Sequence, residues 1–151
     1  MAVSLELLKQ LRKASGAGIA DCRIALEEAK GDVRLARDIL TKRGLAKAKE
    51  KAGKATPAGV IASYVHATKK IGVLVELTCE TDFVARTDEF QSLAHEIALQ
   101  VAAMNPKDVK ALLAGEYIRD TSLTTGALVQ GVIAKVGENI TVGKFVRMEL
   151  A

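Results

Sequence analysis

Gly59-Val-Ile-Ala-Ser-Tyr-Val65 and Val73-Leu-Val-Glu-Leu-Thr-Cys79 are the two runs on which the fold turns. Both alternate, and both are rich in β-branched residues, the pattern of a strand with one buried side. Thr68-Lys-Lys-Ile-Gly72 lies between them and reads as a turn, so the pair predicts an antiparallel hairpin.

Downstream the period changes. Thr87 to Ala103 has helical spacing, with Thr87 placed to cap and Phe90, Leu93, Ala94, Ile97, Leu99, Val101 and Ala102 forming an apolar side. Asn105-Pro106 ends that helix. Residues 107–114 read as a short helix stopped by Gly115, whereas 116–126 carry no clear pattern. Leu128 to Val136 is helical again and Gly137 stops it. Ile140 to Leu150 alternates as a last strand. The layout from 57 to 151 is therefore β-β-α-α-β: an α+β core with a three-stranded antiparallel sheet covered by helices on one face. So small a sheet leaves its other face open, and that face calls for a partner, either another copy or another protein.

Upstream, three short helical patterns follow one another. Ser4 is an N-cap for a helix carrying Leu7, Leu8 and Leu11, and Gly16-Ala-Gly18 stops it. Ile19 to Lys30 places Ile19, Cys22, Ala25, Leu26 and Ala29 on one side. Asp32 caps a third helix with Val33, Ala36, Ile39 and Leu40, which Gly44 is expected to close. A unit of about 45 residues buries only a small core. It suits a docking module, residues 1–45, better than an enzyme. Residues 46–56, rich in Ala and Lys, read as a basic helical linker ended by Gly53 and Pro57.

The charge follows the same division. Residues 1–54 carry 13 Lys/Arg against 7 Asp/Glu, while residues 55–151 carry 9 against 11. Lys42, Arg43, Lys47, Lys49, Lys51 and Lys54 cluster in the linker, which would suit a phosphate backbone. Yet no aromatic lies between residues 1 and 63 to stack on a base, so the tract reads as a solvated linker and no direct nucleic-acid binding is expected. No apolar run approaches the roughly 20 residues of a membrane span, and no signal peptide is visible at the start. Two cysteines and two histidines, all far apart, make neither a disulfide framework nor a zinc site. The expectation is a cytoplasmic chain with no cofactor and no membrane contact.

No catalytic constellation is present: neither a phosphate-cradling glycine loop, nor a nucleophile elbow, nor a zinc-binding helix motif. His66 and His95 read as surface or boundary residues, and Cys22 and Cys79 as small buried groups. One segment stands apart. Glu80-Thr-Asp-Phe-Val-Ala-Arg86 joins the strongest strand to the long helix and places a Phe beside an Asp in a chain with 3% aromatics. Loops on a rigid scaffold often carry function, although Phe83 could equally tuck beneath the helix that follows.

Glu76-Leu-Thr-Cys-Glu-Thr-Asp-Phe-Val-Ala-Arg86 closely resembles the core signature of the elongation factor Ts family. Leu11-Arg-Lys-Ala-Ser-Gly-Ala-Gly-Ile-Ala-Asp-Cys-Arg-Ile-Ala-Leu26 resembles its N-terminal signature, and Val136-Gly-Glu-Asn-Ile140 a third segment. The resemblance spans essentially the whole chain. It implies a guanine-nucleotide exchange factor, not an enzyme in the chemical sense, whose partner is the GTPase elongation factor Tu. The first 45 residues would be a module of the ubiquitin-associated type. By this resemblance Ile19, Ala20 and Arg23 match positions that dock on the GTPase, and Asp82 and Phe83 match those set near its Mg²⁺ and phosphates. Val136 and Gly137 match a further contact. Long relatives carry two related core halves, and this chain has room for one. A homodimer is therefore expected, one copy presenting Asp82 and Phe83 and the other His66.

Overall fold

The computed structural model describes residues 2–151. Three helices open the chain: α1 (Leu5–Ser15), α2 (Ile19–Glu28) and α3 (Val33–Lys51). Ser4 caps the first by accepting from the Glu6 amide at 3.2 Å. Asp32 caps the third with one carboxylate oxygen, 2.9 Å from the Arg34 amide and 3.1 Å from that of Leu35. Gly16 ends α1 at φ +67, the left-handed turn that glycine makes without a β-carbon clash. The three helices enclose a small core of Leu11, Cys22, Ala25, Leu26, Ala29 and Ala36. Ile19, expected on that inner side, is instead 55% exposed. It is the first residue of α2, beyond the reach of the α1–α3 contact.

A second expectation fails more instructively. Gly44 does not close the third helix, which runs on to Lys51. A helix continues through glycine at a cost of about 1 kcal/mol. Here the missing side chain allows α3 to lie against α7 (Thr125–Val136): a β-carbon at 44 would stand 3.2 Å from that of Ala134. Residues 46–51 are thus a continuation of α3, and Ala48 is buried in the core of the C-terminal part.

That part is built on β1 (Ala58–Val65), β2 (Ile71–Cys79) and β5 (Ile140–Glu149), paired antiparallel in the order β1-β2-β5. The α+β layout and the three-stranded antiparallel sheet are as expected. Strand alternation sends Val73, Val75, Leu77, Ile140 and Val142 inward into the core shared with α5 (Asp88–Met104). Phe90, Leu93, Ile97 and Val101 of α5 meet them, all essentially sealed from water. Thr87 caps α5 at the Phe90 amide, and Asn105 ends it at φ +47. Gly59 sits at φ +148, where a β-carbon would collide with the Leu77 backbone across the ladder.

Two elements escape the sequence pattern. One is α4 (Asp82–Ala85), a single turn inside the segment read as a loop. The other follows α6 (Val109–Ala114): a hairpin of β3 (Glu116–Tyr117) and β4 (Asp120–Thr124). The hairpin is anchored by buried Gln100, whose amide donates to the Glu116 carbonyl at 2.8 Å and accepts from the Ile118 amide at 3.1 Å. Thr124 then caps α7, which begins three residues before its apolar run.

Candidate functional site

The chemistry of the Glu80–Arg86 segment starts with Thr81, every polar atom of which is engaged. Its hydroxyl accepts from the Val84 amide at 3.4 Å and so caps α4. Its amide and hydroxyl donate to the two carboxylate oxygens of Glu138, at 2.9 and 2.7 Å. Its carbonyl accepts from the Ala85 amide at 3.2 Å and from the Cys79 thiol at 3.1 Å. Burial first, and then the charge of Glu138, push the Cys79 thiol pKa up, so this cysteine acts as a neutral donor.

Fixing this turn sorts its side chains. Val84 and Ala85 turn inward, at 8% and 5% exposure, while Asp82 and Phe83 face solvent. Phe83 is 87% exposed, the most exposed large apolar side chain among the described residues. It does not tuck beneath α5; Val84 and Ala85 fill that space. A bare phenyl ring on a turn pinned at both ends is a poor way to stabilise a monomer and a good way to meet a partner.

Val136 and Gly137 lie beside this turn, because Glu138 follows them directly. Gly137 ends α7 at φ +75, which brings the chain round to Thr81. One turn back, Lys135 lies over Gly16, its Cε and Nζ 2.8 Å from where a β-carbon would stand. The α1–α2 corner therefore rests next to the end of α7. From that corner α2 presents Ile19, Ala20 and Arg23 to solvent, with Ile24 43% exposed beside them. Asp21, on the same helix, pairs with Lys47 of α3 at 3.6 Å and ties the module to its long helix.

His66 stands elsewhere. It lies in the β1–β2 turn, where its Nδ1 accepts from the Thr68 amide at 3.2 Å and sits 2.8 Å from the Thr68 hydroxyl. The ring packs edge-on to Tyr64. Ala58 pairs with Cys79 at one end of this hairpin and Val65 with Gly72 at the other. The ladder's eight paired positions make seven residue steps, roughly 23 Å at a strand's rise of about 3.3 Å per residue. One chain thus gathers Ile19, Ala20, Arg23, Asp82, Phe83, Val136 and Gly137 towards one end and leaves His66 at the other.

Sequence reasoning passed over Glu80 and Glu138, the residues that hold the turn. Their signal was faint: two acidic residues, each flanking the end of a strand, 58 positions apart in the chain.

The open face of the sheet carries an exposed apolar cluster beside the polar Ser63, Glu76 and Lys144. Ile61 and Val65 of β1, Leu74 of β2, and Val146 and Met148 of β5 are 52–71% exposed. They share one side of the ladder, since Leu74 pairs with Val146, and Gly72 with both Val65 and Met148. No helix among the described residues is long and apolar enough to cross a membrane.

A small helical module, an exposed aromatic and a sheet with uncovered apolar residues are features suited to contacts with other proteins. Comparison with known proteins makes this specific. The family model described as elongation factor TS matches residues 80–151. Elongation factor Ts of Nitratidesulfovibrio vulgaris is 40% identical over 195 positions that cover 99% of this chain and 98% of the relative. That of Thermotoga neapolitana is 41% identical over 193 positions, with the same two coverages. That of Thermosipho melanesiensis is 60% identical over 108 residues, 72% of this chain and 55% of the relative. The chain belongs to the elongation factor Ts family. An alignment of 195 positions for a chain of 151 residues means that over 40 positions of the longer relatives face no residue here.

Proposed function

We propose that this chain promotes loss of GDP from elongation factor Tu by setting Phe83, supported by Asp82, against the GTPase near its Mg²⁺ and phosphate groups. The observation that carries the reading is the 87% exposure of Phe83 on a turn whose backbone is otherwise pinned. Family membership supplies the partner. Ile19, Ala20 and Arg23 serve as the first docking contact, and Val136 and Gly137 as a further one.

The physics is linkage. GDP with Mg²⁺ stabilises one conformation of the GTPase, and the factor binds another more tightly. Each ligand then weakens the other by the same factor. A rigid phenyl ring entering a side-chain pocket needs to displace a helix by only an ångström or so. Mg²⁺ demands near-ideal octahedral geometry, so that shift loosens its site and the phosphates it holds. No covalent bond changes, and no cofactor or metal of its own is required.

The same reading makes the open sheet face a homodimer interface, with the cytoplasm as the place of action. Within one chain His66 and Phe83 are too far apart to share a contact. A second copy packed on the sheet supplies His66 from the other side of the assembly.

Stopped-flow release of fluorescent GDP from elongation factor Tu tests the proposal. Wild type accelerates release, and Phe83→Ala loses most of that acceleration. Release rates that are the same with no factor, wild type and Phe83→Ala would refute it.

A further inference from the structure

We infer that Glu138 and Glu80 are positioning residues that aim Phe83, an inference that rests on the exchange reading above. Two carboxylates bind the two chain segments reciprocally. Glu138, from the turn after α7, takes the Thr81 amide and hydroxyl with its separate oxygens. Glu80, from the end of β2, takes the Asn139 amide at 2.8 Å. Asn139 is 8% exposed, and its side chain donates to the Lys54 carbonyl at 2.8 Å. Three strands of chain thus meet at one knot: the exit of the module's long helix, the Phe83 turn, and the α7–β5 turn that holds Val136 and Gly137.

The need for such a knot follows from the length of α4. A four-residue helix rests on very few backbone bonds, here from Ala85 to Thr81 at 3.2 Å and from Arg86 to Asp82 at 3.3 Å, and would fray in water. Charge-assisted bonds to the amide and hydroxyl of its cap are stronger than neutral ones and fix direction as well as position. With Phe83 87% exposed, little of its own chain is left to hold the ring, so its aim is set by the backbone beneath it. A ring projected from a frayed turn would still reach the GTPase. It would spend its binding energy on becoming ordered rather than on displacing the pocket. The clamp therefore acts on the rate within the complex more than on the affinity that forms it.

The test is a double-mutant cycle in the full-length chain, with fluorescent GDP release from elongation factor Tu measured as a function of factor concentration. Glu138→Ala should lower the saturating rate by at least about tenfold, in keeping with the cost of ångström-scale misplacement, and move the half-saturating concentration by less than about twofold. Glu138→Gln, which keeps one acceptor, should recover part of the loss, and Glu80→Ala should move the rate in the same direction. In a Phe83→Ala background the Glu138 substitution should cost nothing further. Amide hydrogen exchange in the free protein gives a readout without the GTPase: Thr81 and Val84 should exchange on the order of tenfold faster in Glu138→Ala, with the β2 amides unchanged. An unaltered saturating rate in Glu138→Ala, beside a large loss in Phe83→Ala, would overturn the clamp and leave the exchange reading standing. The same fractional loss from Glu138→Ala with and without Phe83 would also overturn it, as the mark of a general structural role. No effect of Phe83→Ala would overturn the exchange reading itself and the purpose assigned to the clamp.

Discussion

Gly44 on the third helix faces Ala134 on the seventh so closely that a β-carbon at 44 would stand 3.2 Å from that of Ala134. This contact seats the N-terminal module on the core. Substitution there separates two effects. Gly44→Ala gains about 1 kcal/mol of helix propensity and needs only a small adjustment of Ala134, so stability should change little. Gly44→Leu puts a branched chain into the same gap, and overpacking of this kind costs about 1–3 kcal/mol. Urea unfolding should show the difference. If Gly44→Leu is as stable as Gly44→Ala, the helices do not pack as described.

Phe83 and Phe90 lie seven residues apart and are opposites. Phe90 is fully buried on α5, whereas Phe83 is 87% exposed. Phe90→Ala should cost about 3–5 kcal/mol, the usual penalty for emptying an aromatic site in a core. Phe83→Ala should leave the melting temperature within about 2 °C, as surface changes within ±0.5 kcal/mol do. Thermal unfolding of both variants is the check. A large drop for Phe83→Ala would mean that the ring packs on its own chain.

This pair also shows what the sequence could reveal. The spacing of Phe90, Leu93, Ile97 and Val101 announces a buried helical face, because burial imposes a period. Val73 to Cys79 announces a strand for the same reason. Phe83 has no period to join, and from its neighbours alone burial and exposure were equally plausible. Only the resemblance of the surrounding motif to a family marks it as a candidate contact. The Glu138–Thr81 clamp left no local pattern, since 57 residues separate its partners and only the fold brings them together. Gly44 misled for a related reason. A glycine that stops a helix and one that lets another helix approach look the same until the second helix is in place. The β3–β4 hairpin has no legible pattern because its strands are short, only Tyr117 of them is buried, and buried Gln100 on a different element holds it.

Glu96 gives the fold a pH dependence at both ends of the scale. Its burial pushes the carboxyl pKa up, but hydrogen bonds from the Tyr117 hydroxyl at 2.6 Å and Arg119 Nε at 2.7 Å, with the Arg119 charge, outweigh that and hold it below the ordinary value. A depressed folded pKa gives stability that is complete above the unfolded value and is lost as pH falls through the folded one. Glu96→Gln should therefore flatten the loss of stability below about pH 4.5. Burial first, and then the bond to Glu96, push Tyr117 up to about 12 from 10.0. That contribution is whole below pH 10 and disappears towards pH 12. Tyr117→Phe should remove this alkaline titration from the ultraviolet difference spectrum and cost on the order of 1 kcal/mol at neutral pH. A Tyr117 midpoint near its ordinary value would contradict the bond to Glu96.

Leu74 lies on the open face of the middle strand, between Ser63 on one side and Val146 on the other. If two copies cover each other's sheets about a two-fold axis, every substitution on that face enters the interface twice. Leu74→Glu then removes two apolar contacts and buries two like charges close together, while the monomer keeps a residue already 52% exposed. Folding should survive, and the dimer should weaken by at least about 100-fold, close to 3 kcal/mol. Sedimentation equilibrium at micromolar concentration should show two copies for wild type and one for Leu74→Glu. Wild type at the mass of one chain would remove the dimer and, with it, the role given to His66 of a second copy. The exchange assay then asks what the dimer does. His66 and Phe83 lie at opposite ends of a hairpin roughly 23 Å long, so under the exchange reading a monomer would keep the Phe83 contact and lose the one supplied by a second copy. Leu74→Glu should therefore raise the half-saturating concentration of factor and spare more of the saturating rate than Phe83→Ala does.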